Sequence, residues 1–102
     1  MPAYVEIVTK ALDMLEHPDM TQPADRVNLI SIVVGHFFLH QNEPCSESVE
    51  VWRRAVPYLA KEKGFFKHSL EEVEFAEGSL GAWMTHAVRD ELRRHRGTPD
   101  GA

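Results

Sequence analysis

The sequence predicts an all-α, single-domain bundle of four main helices, and three observations lead there. Apolar residues recur at three- and four-residue spacing in four separate stretches. No stretch carries the two-residue alternation of a half-buried strand. Proline, glycine and capping residues punctuate the chain where helices are expected to stop and start. At 102 residues the chain is near the modal domain size and long enough to bury one core. No repeat, low-complexity tract or linker divides it, so residues 1–97 are expected to form the bundle and 98–102 a frayed tail.

The first helix is expected over Pro2 to Glu16, with Tyr4, Ile7, Val8, Ala11, Met14 and Leu15 at helical spacing. Proline suits a first helical turn, and "HPDMTQP" (17–23) then ends the segment. The second runs from about Gln22 to Gln41, with Thr21 as the expected N-cap and Pro23 and Asp25 in the first turn. The third begins near Ser46 and carries Val49, Trp52, Val56 and Leu59 on one side. Pro57 removes a backbone donor inside that pattern, which predicts a kink or a split into 47–56 and 57–63, closed by Gly64 in a left-handed conformation. "GFFKH" (64–68) reads as a connector whose aromatics plug the core. The last helix is expected to start at the capping box Ser69-Leu70-Glu71-Glu72 and to run long, to about His95, interrupted at Gly78 and Gly81.

Composition narrows the function classes. A net charge of −5 argues against direct nucleic-acid binding, which needs a basic stripe. The one basic cluster, "RRHR" (93–96), falls where cations complement a helix C-terminus. The single cysteine cannot form an internal disulfide. The opening "MPAYVEIVTK" is not patterned as a signal peptide, and Leu29 to Leu39, the longest near-apolar stretch, is far below the ~20 residues of a membrane span. A cytoplasmic protein without a membrane segment is the expectation.

Two constellations invite chemistry. At ~100° per residue, the second helix shows one apolar stripe of Val27, Ile30, Val33, Val34 and Phe37, and a second of Leu29, Ile32, His36 and Leu39. A helix apolar on two sides is either central in its domain or buries its second side against another subunit, so Leu29, Ile32, His36 and Leu39 are the expected partner or homodimer interface. His36 and His40 also stand one turn apart, the spacing at which two imidazoles on a helix share a metal ion, with Cys45 as a third candidate ligand. Further His and carboxylate pairs stand at four-residue separation (Asp13/His17, His68/Glu72, His86/Asp90, Glu91/His95), a modest excess over what this composition produces by chance.

Glu71, Glu74 and Glu77 form a possible acidic surface for a basic partner. No phosphate-binding glycine loop, CxxC, GxSxG or paired-carboxylate motif is present, so no catalytic residue and no cofactor is assigned. The sequence therefore reads as a small acidic, non-enzymatic protein-binding domain: a regulator, an inhibitor or immunity-type partner, or an assembly adaptor. The alternative is a metal-binding bundle built on His36 and His40.

Overall fold

A computed structural model describes residues 3–62 and 64–97; the expected tail, 98–102, lies outside the described residues. The described residues form five helices in one all-α bundle: α1 Ala3–Glu16, α2 Pro23–His40, α3 Val49–Lys61, α4 Phe65–Ser69 and α5 Leu80–Gly97. Four are long and α4 is a single short turn, and no strand occurs among the described residues. Their common core is Val8, Leu12, Val33, Phe37, Trp52, Leu59, Leu70, Leu80, Met84 and Val88, all but fully buried.

The α1 and α2 helices are antiparallel neighbours. Tyr4, at the start of α1, stacks on His40 at the end of α2. At the other end Arg26 Nη1 donates to the carbonyls of Leu15 (3.1 Å) and Met20 (3.0 Å). The last carbonyls of a helix have no intrahelical donor, so Arg26 ties the exit of α1 to the entry of α2. Pro23 occupies the first turn of α2 as expected, but the N-cap is Gln22 rather than Thr21, and no side chain caps it.

The helix central to the bundle is α3, which packs on each of the other four. Its buried face is Val51, Trp52, Ala55, Val56 and Leu59. The helix is continuous through Pro57, so of the kink or split expected there the split does not occur. Arg53, whose carbonyl forfeits its intrahelical donor to that proline, is exposed to solvent. Gly64 adopts the expected left-handed backbone, φ 81°, but it does so as the N-cap of α4, because α3 already ends at Lys61 with an extended Glu62 as its C-cap. Phe65 is buried against Phe37 (centroids 5.7 Å apart), so the connector does plug the core.

The start of the last helix needs correction. Ser69 ends α4 instead of opening a long helix, residues 70–79 are a loop, and α5 begins at Leu80. Leu70 is driven into the core, which turns the chain away from a continuous helical path. The cap that operates is Ser79, whose Oγ accepts from the Ala82 N–H at 3.2 Å. The Leu80 and Gly81 N–H groups donate to the carbonyls of Glu43 (2.8 Å) and Gln41 (2.7 Å). Three of the donors left free at a helix start are thus satisfied by Ser79 and by the corner after α2. Gly78 stands before α5 with φ 83°, in the tight turn that allows this. Gly81 lies in the first turn, where a Cβ would collide with the Phe75 ring that packs over it.

Candidate functional site

The outward face of α2 is the first candidate, and the structure redistributes its two stripes. Leu29, at 8% exposure, joins Val33 and Phe37 in the core, while Ile32 (40%) and Leu39 (73%) remain on the surface. His36 is half-buried. Of the other stripe, Val27 (60%) is exposed. The expected interface of Leu29, Ile32, His36 and Leu39 is therefore divided: its first member is intramolecular core, and Ile32 and Leu39 are available to a partner.

The exposed face that results is wider than the sequence suggested. Phe38 (43%) adds to Val27 on one flank, and Ile32 and Leu39 form the other. Between the flanks lie Ser31 and Gly35, both exposed and one turn apart. A Cβ built on Gly35 meets nothing within 4 Å. From Val27 to Leu39 there is no Asp, Glu, Lys or Arg, although 26% of the chain is charged. Solvent-facing helix surfaces are ordinarily charged, and depletion of charge marks the centre of protein interfaces.

Two more exposed apolar residues extend this face onto α1. Going round α1 at ~100° per residue, Val5 is in the groove with α3, Tyr4 meets α2, and Ile7 and Met14 come next. Going round α2, Phe37 meets Trp52 of α3, His36 and His40 meet Tyr4, and Ile32 and Leu39 come next. Both pairs thus flank the α1–α2 seam on the side away from α3, and Ile7 and Met14 are about half exposed.

The histidines lie within that seam. The Tyr4 ring stacks on His40 at 3.8 Å between centroids, and the His36 and His40 rings are stacked, 6.0 Å apart and within 4° of parallel. His40 Nδ1 donates to Glu43 Oε2 over 2.7 Å. Tyr4 OH donates to Ser48 Oγ (3.2 Å) and accepts from Trp52 Nε1 (3.4 Å), which joins the stack to α3. An imidazole lone pair lies in the plane of its ring, and two stacked parallel planes do not meet at one ion. Cys45 is a half-buried free thiol packed against the core, and its N–H donates to the Gly78 carbonyl. Among the described residues no group of three or more His, Cys, Asp or Glu side chains is placed to hold a metal ion. His36 Nδ1 is buried without a hydrogen-bond partner.

Glu71, Glu74 and Glu77 are all exposed, on the 70–79 loop rather than on the helix face the capping box implied. A second acidic feature was not legible in the sequence, because it depends on how α1 and α3 pack. Their groove, about 830 Å³, has an apolar floor that includes Val5, Val49 and Val51. Its rim carries Glu6, Asp13, Glu47 and Glu50 against Lys10 and Arg54. Arg54 Nη2 bridges Asp13 (2.7 Å) and Glu16 (2.9 Å) across the two helices. Those hydrogen bonds, Asp13 first, push the guanidinium pKa up from its ordinary value.

No helix among the described residues is long and apolar enough to cross a membrane. Comparison of the chain with protein-family models, with curated proteins and with solved structures finds no match.

Proposed function

We propose that this chain is a non-enzymatic protein-binding domain, a regulator, inhibitor or adaptor, that pairs with a second copy of itself through the outward face of α2. The observation that carries the reading is the exposed face from Val27 to Leu39, large apolar side chains on a helix stretch with no charged residue. Two copies each carrying −5 repel one another over most of their surface, and this face is where like charges would not be opposed. Ser31 and Gly35 at its centre let helix backbones approach closely, with Val27 and Phe38 on one side and Ile32 and Leu39 on the other. Such a pairing leaves the acid-rimmed α1–α3 groove and the Glu71, Glu74 and Glu77 loop for a basic protein target.

The test is light scattering coupled to size exclusion, over micromolar to near-millimolar chain concentrations. The parent chain should shift toward twice the monomer mass of 11.6 kDa, and Ile32→Glu with Leu39→Glu should hold it at that mass with its helical circular dichroism intact. Both side chains are exposed, so the double variant spares the core, unlike one that includes Leu29. A parent chain that stays monomeric across the range refutes self-pairing.

A further inference from the structure

The bundle carries a second concave surface that includes no residue of α2, and its charge is opposite to that of the chain. It is a groove of about 710 Å³ where the end of α3, α4 and the second half of α5 meet, within the ~300–1,000 Å³ typical of small-molecule sites. Lys61, Lys67, Arg89 and Arg93 line it, against the carboxylates of Glu62 and Glu71. Phe66 contributes an aromatic wall, and the Arg89 guanidinium carbon lies 5.3 Å from its ring centroid.

The pairing pattern of the cations makes this groove unusual. Elsewhere Arg53 pairs with Glu50, and Arg54 with Asp13 and Glu16. Arg26 is occupied by two carbonyls. Among the described residues, Lys10, Lys61, Lys67 and Arg89 make neither an ion pair nor a side-chain hydrogen bond. Three of these four stand in this groove, in a chain with more acids than bases. Helix-end compensation accounts for Lys61, in the last turn of α3, and for Arg93 near the end of α5. It does not account for Arg89, about two turns before that end, or for the convergence of α4 with both helices. The Arg89 guanidinium lies over the Phe66 ring, and since neither an ion pair nor a side-chain hydrogen bond engages its N–H donors they are left for an acceptor.

We infer that this groove binds a small polyanion, a molecule with two or more phosphate or carboxylate groups. Arg89 is held by Phe66 to offer a planar fork to one anionic group, and Lys61 and Lys67 are point charges for another. Arg93, which pairs with Asp90 at 3.3 Å, adds to the field at the rim.

The experiment is an amide-resolved NMR titration of the full chain with inorganic tripolyphosphate, with citrate in a parallel arm, at physiological ionic strength. Saturable shifts are expected in residues 61, 62, 64–67 and 89–93. The dissociation constant should rise about tenfold in Lys61→Gln with Lys67→Gln, as for loss of two solvent-accessible ion pairs. Arg89→Gln should weaken binding comparably, and Lys10→Gln, outside the groove, should leave it unchanged. All four positions are exposed, so the fold is preserved, and the unshifted core amides of each variant verify it. Response to tripolyphosphate alone marks a phosphate site, and to citrate as well a general polyanion site; both support the inference. Absence of saturation, or equal weakening by Lys10→Gln, overturns it. So does binding of an acidic peptide such as oligoglutamate when both small anions are silent. The α2 double variant should titrate like the parent chain, so failure here and failure of self-pairing are read separately.

Discussion

Gly35→Ala tests both the fold and the proposed pairing. Gly35 is inside α2, exposed, and a Cβ there meets no atom within 4 Å. The substitution therefore adds no clash and removes no contact within one chain. What it changes is the backbone entropy of the unfolded state, and Gly is less favourable than Ala in a helix interior by about 0.8–1 kcal/mol. The isolated domain should gain that amount, which for a domain of this size raises the melting temperature by about 4–8 °C. Under self-pairing the same methyl lies at the point of closest backbone approach, and association stabilises the folded chain by mass action. The gain should then be full at low micromolar concentration and shrink, or reverse, as concentration rises. Urea unfolding at two concentrations about a hundredfold apart measures both effects, with the midpoint read at constant m. Destabilisation in the dilute limit refutes the open, helical environment assigned to Gly35. A gain that is the same at both concentrations refutes the pairing through Gly35.

Two further substitutions probe what holds the bundle together. Gly81→Ala drives a methyl into the Phe75 ring and should cost about 1–3 kcal/mol, as overpacking does. Combined with Phe75→Ala the loss should be less than the sum of the two single losses, and strict additivity in urea unfolding would show that the two do not touch. Arg54→Met removes the bridge from α3 to Asp13 and Glu16, a partly exposed pair worth about 0.5–1 kcal/mol. That loss should fade toward 1 M salt, where the Debye length is ~3 Å. A loss independent of salt would assign the role of Arg54 to packing.

Much of the fold was legible in the residues themselves. Spacing of apolar positions placed α1 and α2 to within a residue or two, because a helix shorter than twenty residues is set by one face and its flanking prolines. The left-handed backbone at Gly64 and the burial of Phe65 were also legible, although α3 ends before Gly64, at Lys61, and that glycine opens α4 instead. The capping box at Ser69 was a sound local signal that lost to a tertiary one. Burial of Leu70, the Phe75 ring over Gly81 and the carbonyls of Gln41 and Glu43 together moved the helix start to Ser79. Gln41 and Glu43 are far from Ser79 in sequence and reach it only by folding, so no local pattern reports them. In the same way, the angular order of side chains round α2 follows from the sequence, but the direction of the core does not. That direction decided that Leu29 is inside, that Val27, Phe38, Ile32 and Leu39 are outside, and that His36 and His40 stack in the seam with Tyr4. Lys61, Lys67 and Arg89 share one groove for the same reason: they sit on three different helices, and only packing brings them together.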